Sequence, residues 1–204
     1  MYVKICGLQT AETVATAIGA GANAVGFVFA PGSPRTITAE LVRELGQAVP
    51  TDVETVGVFR NQPIEQVLEI ARAAALTTVQ LHGNETLADM EQARDAGFRT
   101  LRAFSAAAYA ALSPADKLAW ESERILLDAV EPGAGVAFDV SLLDGGAPAG
   151  FWLLAGGLNP SNVAELAVAL RPDGVDVSSG VESSRGVKDG GLIKAFVAAA
   201  RSTV

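Results

Sequence analysis

Eight times along the chain a short apolar run opens into a loop and then into a segment with helical spacing, and nothing else in the sequence restricts the fold as strongly. The first unit is Val3-Lys4-Ile5-Cys6, turning at Gly7 and followed by Thr10 to Gly19, where Thr10 is an N-cap candidate and Val14, Ala17 and Ile18 share one helical face. Further strands are expected at 24–29, 53–59, 78–82, 99–104, 124–129, 151–155 and 175–177. Helices are expected at 38–49, 64–74, 87–96, in an alanine-rich stretch that Pro114 interrupts, at 159–170 with Pro160 just inside the start, and at 192–201. This alternation implies a parallel sheet. Eight units fit closure into an α/β (βα)8 TIM barrel, with a doubly wound open sheet as the competing arrangement. No linker composition separates the units, so residues 1–204 read as a single catalytic barrel domain, near the short end for that fold.

In such barrels the chemistry sits at the carboxyl ends of the strands. Strand side chains alternate faces, which puts Lys4 with Cys6, Gln80 with His82, and Leu126 with Asp128. Cys6 and Asp128 then end well-separated strands and look into one pocket, as a general base facing a general acid would. The plainer alternatives are a buried, inert thiol for Cys6 and a turn carboxylate for Asp128. Lys4 could favour a Cys6 thiolate. Asp176 lies on the strand that neighbours the first in a closed barrel, and is expected to take the lysine charge instead, because an unpaired charge in a barrel interior is costly.

Arg35 leaves a loop stiffened by Pro31 and Pro34, and its planar fork suits a carboxylate; the alternative is a solvated loop arginine. Gly156-Gly157 after the seventh strand and Ser178-Ser179-Gly180 after the eighth occupy the positions where such barrels bind phosphate through backbone N–H groups, though each could be an ordinary turn. His82, the sole histidine, is placed in the site as a packed or hydrogen-bonding residue rather than a catalyst. One histidine and one cysteine leave no metal-ligand set.

The formal net charge of -8 speaks against a nucleic-acid partner, whose phosphate backbone calls for clustered Lys and Arg. A small phosphorylated substrate is compatible with that charge, because a few local donors suffice. The single cysteine excludes an intramolecular disulfide and fits a reduced compartment. No apolar run approaches the ~20 residues of a membrane span, and the first residues lack a signal-like core. A cytoplasmic protein is therefore expected, as a monomer in preference to a homodimer.

Taken together, Lys4-Ile5-Cys6-Gly7, Gly26-Phe27-Val28-Phe29, Ser33-Pro34-Arg35, Val79-Gln80-Leu81-His82-Gly83, Leu154-Ala155-Gly156-Gly157-Leu158-Asn159-Pro160 and Asp176-Val177-Ser178-Ser179-Gly180-Val181-Glu182 resemble phosphoribosylanthranilate isomerase of tryptophan biosynthesis. The motifs run in that family's order along essentially the whole chain. The resemblance implies a (βα)8 barrel that converts N-(5-phosphoribosyl)anthranilate to 1-(2-carboxyphenylamino)-1-deoxyribulose 5-phosphate by an Amadori rearrangement, without metal or organic cofactor. Carried over, Cys6 matches the general base, Asp128 the general acid, Arg35 the arginine that holds the anthranilate carboxylate, and the Gly156-Gly157 and Ser179-Gly180 loops the phosphate site. His82 and Asp176 are assigned to substrate binding.

One departure is clear: the family often has Gly-Thr-Gly-Lys after the sixth strand, and here the lysine position is Val136. Two rival functions remain. The related isomerase of histidine biosynthesis runs the same rearrangement but places an aspartate where this chain has Cys6. A non-catalytic ribose-phosphate binding barrel would have no need of both Cys6 and Asp128.

Overall fold

The structure, a computed structural model, describes residues 1–128, 143 and 146–202; position 136 and the carboxyl end of the expected sixth strand lie outside them. Eight parallel strands close into a barrel in sequence order: β1 (Tyr2–Cys6), β2 (Ala24–Val28), β3 (Glu54–Phe59), β4 (Thr78–Leu81), β5 (Arg99–Ser105), β6 (Ile125–Asp128), β7 (Trp152–Ala155) and β8 (Gly174–Val177). The open-sheet alternative is excluded by the pairing of β8 with β1, which sets Lys4 opposite Asp176. Around the barrel run α1 (Ala11–Ala20), α2 (Ala39–Gly46), α3 (Ile64–Ala73), α4 (Leu87–Asp95), α5 (Ala106–Ala110), α6 (Pro114–Ala119), α7 (Val163–Leu170) and α8 (Gly190–Arg201).

Side-chain caps start most of the helices, the expected Thr10 among them. Thr10, Thr38, Ser105, Ser113 and Asp189 each accept a first-turn backbone N–H, and Thr86 forms a reciprocal capping box with Asp89. Pro114 supplies the first turn of α6, where its missing N–H would be unpaired in any case, so the alanine-rich stretch becomes two short helices.

Pro160 behaves differently from expectation. It lies in a turn ahead of α7, because the Asn159 side chain accepts the Ser161 N–H at 2.8 Å and the Asn162 side chain accepts the Asn159 N–H at 2.8 Å. These side-chain bonds offer the backbone an alternative to the helix, which begins only at Val163. A hairpin of β9 (Glu182–Ser184) and β10 (Val187–Lys188) was not expected either. Its strands are too short to show an alternating pattern.

Outward-facing strand residues such as Val3, Ile5, Phe27, Val79 and Leu127 join Val14, Val67, Met90 and Phe196 of the helices in one continuous core. The barrel interior is built otherwise. At its amino-terminal end Glu54 accepts hydrogen bonds from Thr78 at 2.7 Å and Arg124 at 3.0 Å, above which Leu101, Leu126 and Leu153 fill the middle. Toward the carboxyl ends the inward residues Cys6, Val28, Val58 and Ala155 line a cavity.

Candidate active site

The cavity has a volume of about 710 Å³ and is lined by Cys6, Arg35, His82, Asp128, Gly156, Gly157, Asp176 and Ser179, drawn from six strands or the loops after them. Eight of the nine residues singled out from the sequence thus share one space. Gly180 does not line it. A Cβ at Gly180 would collide with the Leu158 carbonyl oxygen, so this glycine lets the β7 and β8 loops pack backbone to backbone.

Cys6 ends β1 opposite Gly26 of β2. A Cβ at Gly26 would lie 3.0 Å from the Cys6 sulfur, so the glycine makes room for the thiol. Two residues back, the Lys4 ammonium donates to Asp176 Oδ1 at 2.8 Å, completely buried. Burial acts to lower the lysine pKa, yet the Asp176 carboxylate outweighs it and holds the ammonium above its ordinary value. Asp176 therefore pairs with the lysine, as expected. For Cys6, burial pushes the thiol up, Lys4 pulls it back and Asp176 pushes it up again, leaving it above the ordinary thiol value.

Asp128 ends β6, with His82 Nε2 at 3.7 Å. Burial lowers the His82 pKa to about 4, reinforced by the positive charges of Lys4, Arg102 and Arg60. Near neutral pH the ring is uncharged, so its approach to Asp128 is a dipolar contact rather than an ion pair. The loop carrying His82 is clamped from below: Arg102 donates to the Leu81 and Gly83 carbonyls at 2.9 and 2.8 Å, while Glu85 accepts the Asn61 and Gly83 amides, both at 2.6 Å.

Gly156 and Gly157 both adopt left-handed backbone, φ 85° and 65°, which a side chain would disfavour. Asn162 holds the loop by donating to the Gly157 carbonyl at 3.0 Å. The amides of Gly157, Ser179 and Gly180 find no acceptor among the described residues. Donors on two adjoining loops thus stand ready for an anion.

Arg35 is not solvated. Its Nε and Nη2 donate to the two carboxylate oxygens of Glu182 at 2.6 and 2.9 Å, leaving Nη1 without a hydrogen bond among the described residues. Glu182 ends one of the motifs that carry the resemblance but has no role assigned there, and its second partner Lys188 lies outside all of them; both sit on β9 and β10, strands too short to show in the sequence pattern. Arg60 and Arg185 also reach the cavity wall, so an acidic chain surrounds its pocket with cations. Arg60 directly follows β3, and that strand-end position was the available signal. Among the described residues no cluster of His, Cys, Asp and Glu could hold a metal ion, and no helix is long and apolar enough to cross a membrane.

Known proteins match the chain over nearly its full length. The family model described as N-(5'phosphoribosyl)anthranilate (PRA) isomerase fits residues 3–199. The N-(5'-phosphoribosyl)anthranilate isomerase of Paracoccus denitrificans is 42% identical over 211 residues, covering 99% of this chain and 98% of the relative. The crystal structure of phosphoribosyl anthranilate isomerase from Thermus thermophilus aligns with a TM-score of 0.87 at 38% identity, covering 100% of both chains. A further phosphoribosyl anthranilate isomerase, solved in complex with reduced 1-(o-carboxyphenylamino)-1-deoxyribulose 5-phosphate, aligns with a TM-score of 0.83 at 35% identity over 99% of each chain. On the family match and this level of identity, the chain belongs to the phosphoribosylanthranilate isomerase family.

Proposed function

We infer that the protein is the isomerase of tryptophan biosynthesis that converts N-(5-phosphoribosyl)anthranilate to 1-(2-carboxyphenylamino)-1-deoxyribulose 5-phosphate, with Cys6 as general base and Asp128 as general acid. The observation that carries this assignment is a thiol and a carboxylate at the carboxyl ends of β1 and β6, facing one cavity that also offers an arginine fork and free loop amides.

The steps balance as follows. Asp128 gives a proton to the furanose ring oxygen, the bond from that oxygen to C1 breaks, and the anthranilate nitrogen lone pair closes an iminium with C1. The Cys6 thiolate takes the C2 proton, and the pair from the broken C2–H bond forms the C1–C2 enolamine double bond while the iminium pair returns to nitrogen. Tautomerisation to the ketone moves a proton from the C2 hydroxyl to C1. The anthranilate nitrogen is the electron sink throughout, so the substrate supplies what a cofactor would otherwise provide. Phosphate is assigned to the Gly157, Ser179 and Gly180 amides and the anthranilate carboxylate to Arg35 Nη1, with His82 and Asp176 lining the space for the sugar.

All these groups come from one chain, so catalysis asks nothing of a second subunit; a cytoplasmic monomer with a reduced Cys6 completes the proposal. Turnover of freshly generated phosphoribosylanthranilate, followed by loss of anthranilate fluorescence, tests the activity. Inorganic phosphate is expected to inhibit competitively, and noncompetitive inhibition would move the phosphate site away from these loops. Arg35→Ala is expected to raise KM with little change in kcat, because a carboxylate remote from the reacting carbons is gripped equally in ground and transition states. An unchanged KM removes Arg35 from substrate binding.

A further inference from the structure

The hairpin β9–β10 ties the loop after β2 to the loop after β8. Glu182, whose side chain is 4% exposed, accepts four hydrogen bonds: from Arg35 Nε and Nη2, from Lys188 Nζ at 2.7 Å and from the Gly186 amide at 3.0 Å. Lys188 uses its remaining donors on the β8 loop, reaching the Ser178 carbonyl at 2.8 Å and the Ser178 hydroxyl at 3.1 Å. One carboxylate between two cations leaves the set with a surplus positive charge beside the pocket. The backbone reinforces the arrangement, since a Cβ at Gly7 would meet the Arg35 stem at 2.6 Å and one at Gly186 would meet Pro34 at 3.3 Å.

A flexible arginine binding a carboxylate must be ordered on each binding event, which weakens binding. Here two of its donors are already fixed in a bidentate pair, whose planar geometry sets the direction of the unused Nη1 edge. The lysine on the same carboxylate holds the loop whose Ser179 and Gly180 amides are left without an acceptor among the described residues. We propose that Glu182 and Lys188 are positioning residues that hold the Arg35 fork and the Ser178–Gly180 loop as one unit, so that the carboxylate and phosphate ends of the substrate are gripped at a set separation. The inference rests on the assignment of the anthranilate carboxylate to Arg35.

Kinetics of Arg35→Ala, Glu182→Gln, their double variant and Lys188→Met separate the possibilities, with the KM of phosphoribosylanthranilate and the Ki of inorganic phosphate as readouts. Glu182→Gln should raise KM about tenfold, the scale of one side chain left to be ordered on binding. Its kcat should stay within about twofold, as uniform binding requires. In the Arg35→Ala background the same change should add less than about twofold, because the two residues act as a unit. Lys188→Met should raise the phosphate Ki several-fold, which Arg35→Ala should not. Equal multiplication of KM in both backgrounds overturns the role of Glu182, and an unchanged phosphate Ki in Lys188→Met overturns the link to the loop. An unchanged KM in Arg35→Ala alone is a different failure, striking the carboxylate assignment itself. Should Glu182→Gln not fold, Glu182→Asp keeps the charge but shortens the reach and should raise KM alike; a native KM there overturns the positioning role.

Discussion

Cys6→Ala is expected to lower kcat by about 10²-fold or more, since a positioned general base typically contributes ~10² to 10⁴. The substitution removes one sulfur atom facing a cavity beside Gly26, so the barrel should stay folded and the loss should lie in turnover. Full activity in a folded Cys6→Ala would end the assignment. The parent enzyme should carry a pH signature as well. Burial, partly offset by Lys4 and reinforced by Asp176, holds the thiol above its ordinary pKa. The active form is the thiolate, so its fraction grows as pH rises toward that raised value, and kcat/KM should climb through the alkaline side of neutrality. A scarce thiolate is not fatal, because the same environment makes it a stronger base. Iodoacetamide labelling of this sole cysteine reports the same ionisation. In Asp176→Asn the Lys4 charge loses its compensating carboxylate, and the labelling pKa should fall. A labelling curve that stays put in the folded variant would break the coupling between these three residues.

Asp128→Asn should reduce kcat to a similar extent, about 10²-fold or more, because an amide of nearly the same shape cannot hand a proton to the ring oxygen. The loss should appear in kcat and kcat/KM together, as for an interaction made mainly in the transition state. A change confined to KM would turn Asp128 into a binding residue. Neutral His82, at 3.7 Å, does not replace it, since a ring with a pKa of about 4 carries no acidic proton to spare near neutral pH. Asp128→Asn should therefore retain little of the acid function at any pH above 5.

The sequence by itself determined the order of the elements, the closed barrel as the favoured architecture, and the strand-end positions of Cys6 and Asp128. These follow from local causes: a two-residue alternation on strands, a side-chain cap at Thr10, and apolar stripes on helices. The Lys4–Asp176 pair was also legible, because closure makes the first and eighth strands neighbours and a buried ammonium needs an anion. Other features depended on groups far apart in the chain. Arg35 and Glu182 are separated by 147 positions, and no periodicity announces that a two-stranded hairpin will carry a carboxylate back to an arginine fork. Pro160 shows the same limit at short range, where two asparagine side chains bond the Asn159 and Ser161 amides within a turn and the helix begins only at Val163. Gly180 could be read as a turn residue, but its actual constraint is the Leu158 carbonyl from the neighbouring loop. Strand and helix identity is decided by near neighbours in sequence. Which donors remain unpaired at the rim of the cavity, and which cation stays free to meet an anion, is decided only when distant loops pack together.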